Sequence, residues 1–350
     1  MCTLDSIIAK IKNNPLFYIS LTSKELFHSN FWYWLSTLNK EATLKIFVES
    51  HSESNSLFFK REHKQSKGSK KQDDLIKSVN DLVVFENENP IIVIENKVKD
   101  YPTVCQLDRI KKSFNGQNVK FVLVTLWGHE EIKFEDWIVI RYKDIANNIQ
   151  TKLYSMEDYC LNKLLIDSYK DYCNNLHDLV ERLPITDNYD FIESLNPELF
   201  NKLESIKLTS GYKKLRASDF FLKYEKPFDC LVCGYGINNQ QATLDFKYPL
   251  DSHYFIGVQV EGKQFRIFVE GTQDKLFAEN LAQNELFFDK NFRSIKEKKS
   301  FLHYDPNFTY QYKIPLINEV LTYNKLSEKI NEKLIYINNN LEEIRNQIPN

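Results

Sequence analysis

Two carboxylates and one ammonium group lie at the ends of two neighbouring hydrophobic segments. Asp81 begins the first segment, and Glu95 and Lys97 end the second, with 13 residues between Asp81 and Glu95. Both segments are rich in β-branched residues and flank the polar stretch 86–89, a pattern that predicts a β-hairpin with a loop of four or five residues. The hairpin would bring the three charged residues to one end of a sheet.

The register of this hairpin decides whether the carboxylates meet. Side chains alternate between the two faces of a strand, so Glu95 is expected on one face and Asn96 on the other. If Phe85 pairs with Ile91, then Asp81 falls opposite Glu95. We therefore expect a small charged patch on one face of adjacent strands.

Such a patch is suited to hold a metal ion. Two close carboxylates repel each other unless a cation lies between them. Oxygen ligands of this kind suit Mg²⁺ or Mn²⁺, and Mg²⁺ typically takes one or two protein carboxylates together with substrate phosphate oxygens. Lys97 could orient a water nucleophile or stabilise developing negative charge. The residues thus predict metal-dependent phosphodiester hydrolysis. In the alternative interpretation they have no catalytic role and are only two strand-end carboxylates beside a surface lysine.

The spacing resembles the motif of the PD-(D/E)xK nuclease superfamily, although Asn80 stands where that motif has Pro. Gln106 follows in a segment that reads as a helix, with Ile110 in place of the family's usual aromatic residue. Further segments look like those of one bacterial subgroup with an N-terminal Glu-x-x-His-Ser helix, namely 25–35, 56–62 and 121–128. The resemblance covers roughly residues 20–145.

The resemblance implies an α/β (α+β) fold with a mixed-sheet, restriction-endonuclease-like core flanked by helices. It implies a Mg²⁺- or Mn²⁺-dependent nuclease acting on DNA, with RNA as the alternative substrate, in bacterial restriction or phage defence. The metal ligands would be Asp81, Glu95 and the main-chain carbonyl of Asn96. The catalytic set would be Asp81, Glu95, Lys97, Gln106 and Glu25. The alternative, from another class of function, is a protein with the same fold that is catalytically silent and acts as a nucleic-acid-binding or scaffold protein.

A basic segment precedes Asp81. Residues 60–71 contain six Lys or Arg and one Glu, which predicts a mobile basic loop. We expect contacts with nucleic-acid phosphates from Lys64, Lys67, Lys70 and Lys71. A solvated connector is the other interpretation of this segment.

Composition places limits on partners and location. The net charge is −2, so any contact with nucleic acid must come from local basic patches. Charged residues interrupt residues 1–20, so no signal peptide is expected, and no stretch approaches the length of a membrane span. Six scattered cysteines fit a reducing compartment, and we expect a cytoplasmic protein without a membrane partner.

The chain is long enough for two domains. We predict a nuclease core at 1–155, a helical bridge at 156–210, and a C-terminal β-rich domain at 211–350 that ends in a long helix. The elements predicted in the core are helices at about 4–13, 23–40, 103–114 and 142–153, and strands at about 44–49, 55–61, 119–126 and 137–142.

The C-terminal third changes to a two-residue period typical of strands. The stretch 254–269 reads as an antiparallel hairpin within a second sheet that has one packed face. The last helix, at about 316–346, carries a narrow apolar seam of mostly heptad spacing. This seam either packs on its own domain or joins two copies of the chain as a homodimer. Separately, the resemblance implies a partner protein in a defence system.

Overall fold

The computed structural model divides the described part of the chain into two compact units. The first comprises residues 1–184 and 201–211, and the second comprises 185–200 and 212–350. The residues that the structure describes are 3–21, 24–49, 56–67, 76–98, 102, 104–127, 134, 136–154, 157–160, 162–187, 197–238, 241–251, 254–262, 264–271, 302–305, 308–313 and 321–346.

The first unit begins with helices and continues into a mixed sheet. Its helices are α1 (Leu4–Asn13), α2 (Pro15–Ser20), α3 (Lys24–Leu38), α4 (Lys40–Leu44), α5 (Val104–Ser113), α6 (Tyr142–Lys152), α7 (Glu157–Cys160) and α8 (Lys163–Glu181). Its strands are β1 (Leu57–Lys67), β2 (Ile76–Glu86), β3 (Asn89–Lys97), β4 (Lys120–Thr125) and β5 (Trp137–Arg141). Helix α8, which the sequence assigned to a helical bridge, packs on α1, α2 and α6 of this unit.

Within the described ranges, the sheet of the first unit has five strands in the order β1-β2-β3-β4-β5. Strands β1, β2 and β3 are antiparallel neighbours, whereas β3, β4 and β5 run parallel. Helix α5 lies in the chain between β3 and β4, as a crossover between parallel strands requires. The mixed α/β class predicted from the sequence is confirmed.

The observed hairpin register places the charged residues as the pattern predicted. Leu82 pairs with Ile94, so Asp81 and Glu95 are the next residues outward on β2 and β3. The predicted pair of Phe85 with Ile91 is wrong, because the register shifts after Val84 and Phe85 pairs with Pro90. The irregularity lies near the turn and leaves the other end of the hairpin unchanged.

Two predictions about the segment before Asp81 are wrong. The strand expected at 44–49 is absent from these described residues, because α4 ends at Leu44 and a turn follows. Residues 60–67 are not a loop, since they extend β1 and pair with β2 as far as Lys67–Ile76. A basic composition does not exclude a strand, because the secondary structure of this segment is set by its backbone pairing with β2. Residues 68–75 lie outside the described part of the chain.

A hydrophobic core lies between the sheet and α5. Val83 of β2, Val93 of β3 and Leu123 of β4 pack there with Leu107 and Ile110 of α5. Because strand side chains alternate, residues two positions from Val83 and Val93 point to this same face. The core therefore fixes the side of the sheet on which Asp81 and Glu95 lie.

The second unit contains an antiparallel sheet and a long C-terminal helix. Helices α9 (Pro197–Ser205) and α10 (Thr209–Lys223) precede the strands, and each spans a boundary between the two units. The elements described after them are β6 (Val232–Asn238), β7 (Gln241–Pro249), β8 (Phe255–Glu261), β9 (Gln264–Glu270), β10 (Leu302–Asp305), β11 (Phe308–Lys313), α11 (Tyr323–Asn339) and α12 (Leu341–Arg345). In these ranges the strand order is β10-β11-β9-β8-β7-β6.

The predicted apolar seam of the last long helix packs on its own unit. Leu326, Ile330 and Leu334 are fully buried, and α11 lies against β8. The main-chain carbonyl of Leu334 accepts a hydrogen bond from the Tyr248 hydroxyl of β7. This burial matches the interpretation of the seam as packing within one domain.

None of the helices in the described ranges is long and apolar enough to cross a membrane.

Candidate active site

The β2–β3 hairpin brings the predicted charged residues together where β3 ends and midway along β2, which continues back to Ile76 in pairing with β1. Asp81 lies two residues before the core residue Val83, and Glu95 lies two residues after Val93. Both side chains therefore point to the face covered by α5, and Lys97 follows on the same face. Glu95 and Lys97 are buried, at 3% and 6% exposure, while Asp81 is partly buried.

Glu95 is held from two directions through a single oxygen. Lys97 Nζ lies 2.8 Å from Glu95 Oε1 as a buried ion pair. The Gln106 side chain of α5 donates a hydrogen bond of 3.1 Å to the same oxygen. The other oxygen, Glu95 Oε2, is buried and has no hydrogen-bond partner among the residues that the structure describes. One oxygen of this carboxylate thus remains available to a ligand.

Asp81 is fixed by the backbone of β3. The N–H of Asn96 donates a hydrogen bond of 2.8 Å to Asp81 Oδ2. The next carbonyl, that of Lys97, accepts from Leu126 on the β4 side. Since the N–H and C=O of one strand residue point the same way, we expect the Asn96 carbonyl on the side of Asp81. This is where the predicted third metal ligand should lie.

Glu25 reaches the same cluster from α3. Its carboxylate accepts a hydrogen bond of 3.4 Å from the Val98 N–H, just beyond Lys97. Its main-chain carbonyl accepts a hydrogen bond of 3.0 Å from the Asn96 side-chain amide. Although 55 residues separate Glu25 from Asp81 in the sequence, the fold brings them close enough for Glu25 to affect the ionisation of Asp81, Glu95 and Lys97.

Electrostatics in this cluster oppose full ionisation of the metal-free carboxylates. Burial and then repulsion by Glu95 raise the pKa of Asp81 to about 7, against the opposing effects of the Asn96 N–H and of Lys97. Burial also raises the pKa of Glu95, and Lys97 only partly offsets it. Burial alone would lower the pKa of the Lys97 ammonium, but attraction to Glu95 and Glu25 outweighs it and raises that pKa. A divalent cation would relieve the repulsion between these carboxylates.

Two residues near the site were missed by the sequence reasoning. Arg109 lies one turn after Gln106 on α5, and its charge lowers the pKa of Glu95. The three-residue spacing on one helix is a signal that could have indicated it. Tyr142 donates a hydrogen bond of 2.7 Å to the Asn96 side-chain oxygen. No local pattern marks Tyr142, because its partner Asn96 lies 46 positions earlier in the chain, on β3.

His28 does not join the carboxylates. Its ring is fully buried, and Nδ1 lies 2.8 Å from the Tyr169 hydroxyl of α8. The ring also packs edge-on to Tyr142, with 4.8 Å between the ring centroids, and stacks on Tyr172, with 5.8 Å between the centroids. The Glu-x-x-His-Ser segment therefore contributes Glu25 to the cluster and His28 to an aromatic layer that supports it.

The predicted nucleic-acid-binding residues are only partly described. Lys64 is exposed on β1. Lys67 ends the same strand, and its side chain lies outside the description, as do Lys70 and Lys71 altogether. Their interaction with phosphates stays a prediction.

The donor set fits a metal ion that keeps much of its water shell. Among the described residues, no group of three or more His, Cys, Asp or Glu side chains is arranged to hold a metal by itself. Mg²⁺, however, commonly takes one or two protein carboxylates and completes its six ligands with waters and substrate oxygens. The unpartnered Glu95 Oε2 and the repelling Asp81 carboxylate meet that requirement.

Comparisons of the chain with models of protein families, with curated protein sequences and with solved structures find no match. The chemistry of the site therefore follows from its own residues. Those residues are two carboxylates, one lysine and one glutamine where β3 of the mixed sheet ends, with a third carboxylate supplied by a helix.

Proposed function

We propose that this protein is a metal-dependent nuclease with a core of the PD-(D/E)xK type. The observation that carries the proposal is the convergence of Asp81, Glu95 and Lys97 on one face of the β2–β3 hairpin, with Gln106 on the same carboxylate. The order of α3, three antiparallel strands, α5 and a parallel strand is also that of the resembled core. DNA is the proposed substrate, with RNA as the alternative.

Each residue has a distinct role in this proposal. Asp81 and Glu95 would hold Mg²⁺ or Mn²⁺, and the Asn96 carbonyl is the expected third protein ligand. When bound, the ion makes water more acidic and neutralises charge on the phosphate. Lys97, held by Glu95, would present its ammonium group to the reacting phosphate or water. Gln106 keeps the Glu95 carboxylate in place by donating to Oε1.

The buried ion pair is better explained by catalysis than by stability. Pairing a lysine and a glutamate in a protein interior often contributes little net stability, because both ions lose hydration. Here the pair adjoins a second carboxylate whose pKa is raised to about 7 by burial and by Glu95. Perturbed ionisable groups of this kind are common at functional sites.

A cleavage assay tests the proposal. Purified protein is incubated with supercoiled plasmid, linear duplex DNA or RNA, each in Mg²⁺, Mn²⁺ or EDTA. We expect cleavage of at least one substrate with a divalent ion, none in EDTA, and loss of cleavage in Asp81→Asn. The matched control is Asp108→Asn, which neutralises an exposed carboxylate on α5.

The outcome separates the proposal from its alternative. A folded protein that binds nucleic acid but cleaves none of the substrates would favour the silent binding protein. Cleavage that persists equally in EDTA, or that Asp81→Asn leaves intact, would contradict the assigned site.

A further inference from the structure

The Asn96 side chain connects three separate elements behind the candidate active site. It lies on β3, on the face opposite to Glu95, and is fully buried. Its oxygen accepts from the Tyr142 hydroxyl of α6 at 2.7 Å, and its nitrogen donates to the Glu25 carbonyl of α3 at 3.0 Å. Both ends of the amide are therefore used, which defines its orientation.

The backbone of the same residue binds to the charged cluster. The Asn96 N–H donates to Asp81 Oδ2 at 2.8 Å, and the Glu25 carboxylate accepts from Val98 two residues later. A movement of the Asn96 side chain would thus reach Asp81 through β3 and Glu25 through α3. In this way one buried amide sets the positions of two carboxylates.

Tyr142 is suited to hold that amide in place. It is the first residue of α6, immediately after β5, and is fully buried. The ring is restrained by its edge-on packing against His28 at 4.8 Å.

We propose that Tyr142 is a positioning residue, which orients Asn96 and thereby places Asp81 and Glu25 for the reaction. This inference rests on the proposed nuclease function. Tyr142 lies behind β3, touches neither substrate nor metal ligand oxygens in this scheme, and acts only through the Asn96 amide. Its hydroxyl should therefore affect turnover more than substrate binding.

The test compares two equally buried tyrosines. Tyr142→Phe removes the hydroxyl that binds Asn96, whereas the control Tyr172→Phe removes one that pairs with Ser20 Oγ at 2.9 Å. Both rings adjoin His28, so the packing changes are matched. We expect Tyr142→Phe to lower kcat on the order of 10- to 100-fold with KM unchanged, because small misplacements of catalytic groups are costly. The control should retain kcat.

A spectroscopic readout makes the test independent of activity. In protein labelled with ¹⁵N-asparagine, Tyr142→Phe should shift both the side-chain and backbone amide signals of Asn96, and Tyr172→Phe should leave them in place. Unmoved Asn96 signals in Tyr142→Phe, or an equal loss of kcat in both variants, would overturn the inference. If the wild type cleaves nothing, the proposed function fails; a wild type that cleaves, together with an unchanged kcat in Tyr142→Phe, overturns the positioning role alone.

A second variant covers the case in which Tyr142→Phe does not fold. At a pH where its carboxyl group is ionised, Asn96→Asp keeps the acceptor for Tyr142 but has no donor for the Glu25 carbonyl. It should lower kcat as Tyr142→Phe does, and in protein labelled with ¹⁵N-valine the Val98 amide signal should shift as Glu25 moves. Full activity in Asn96→Asp with an unshifted Val98 signal would refute the proposed route through Asn96.

Discussion

Neutralising Asp81 should stabilise the metal-free protein at alkaline pH. The pKa of Asp81 is raised from 3.8 to about 7, first by burial and then by Glu95. Because the folded state binds this proton more tightly than the unfolded state, the contribution to stability is fully present below about pH 4 and is lost as the pH rises towards 7. Asp81→Asn removes the ionisation and should flatten this loss.

The magnitude follows from the size of the pKa shift. A shift of about three units corresponds to roughly 4 kcal/mol at about 1.4 kcal/mol per unit, which is an upper limit because Asp81 and Glu95 share the repulsion. A stabilisation of half that size, about 2 kcal/mol, would raise the melting temperature of a domain as large as the first unit by about 4–8 °C. The asparagine oxygen can still accept from the Asn96 N–H, so the hydrogen bond that holds residue 81 is kept.

Urea unfolding in EDTA at pH 5 and pH 8 measures this effect. The wild type should lose more unfolding free energy between the two pH values than Asp81→Asn, and Asp108→Asn should behave as the wild type. A variant Asp81→Asn that is less stable than the wild type by more than about 2 kcal/mol at pH 8 would refute the reasoning, since it would make Asp81 a stabilising partner.

Three other variants test the remaining parts of the site. Lys97→Met should destabilise the protein by about 3–5 kcal/mol at pH 8, because the buried Glu95 carboxylate loses its partner. The loss should be smaller at pH 5, because burial raises the pKa of Glu95 and so favours its neutral form as the pH falls. Urea unfolding at both pH values measures the difference. Gln106→Leu should lower the free energy of unfolding by about 1 kcal/mol, because Glu95 Oε1 loses one hydrogen-bond donor. It should also lower the cleavage rate with little change in KM, which steady-state kinetics measure. Neutralising Lys64, Lys67, Lys70 and Lys71 together should weaken binding to duplex DNA. The slope of log affinity against log salt concentration should fall in magnitude by about 0.9 for each phosphate that is no longer bound. Fluorescence anisotropy titrations at several salt concentrations measure this slope, and an unchanged slope would contradict the prediction.

Local patterns were sufficient to predict the hairpin that carries the candidate site. Two β-branched segments around a polar turn predict adjacent antiparallel strands, and the alternation of side-chain direction along a strand puts Asp81 on the same face as Val83 and Glu95 on the same face as Val93. The positions of Asp81 and Glu95 follow from that assignment. The bulge at Phe85 was not predictable from period-two alternation, because it depends on how Pro90 fits the ladder without a backbone N–H.

Interactions between distant segments were beyond sequence reasoning. The basic stretch 60–67 looks like a loop by composition, yet its backbone pairs with β2, a partner that composition does not indicate. The apolar stretch 44–49 looks like a strand, but its residues Ile46 and Phe47 are buried in a turn after a short helix. Tyr142 and Asn96 belong to different elements far apart in the chain, so their hydrogen bond has no signature within either segment.

Direct measurement of Mn²⁺ binding tests the central claim that Asp81 and Glu95 together hold one divalent ion. Electron paramagnetic resonance of the metal-free protein titrated with Mn²⁺ at pH 8 should detect one bound ion per chain. The binding should be lost in Asp81→Asn and in Glu95→Gln, be retained in Asp108→Asn, and weaken as the pH falls below 7, where Asp81 becomes protonated. Absence of bound Mn²⁺ in the wild type, or binding that survives both site variants, would contradict the account.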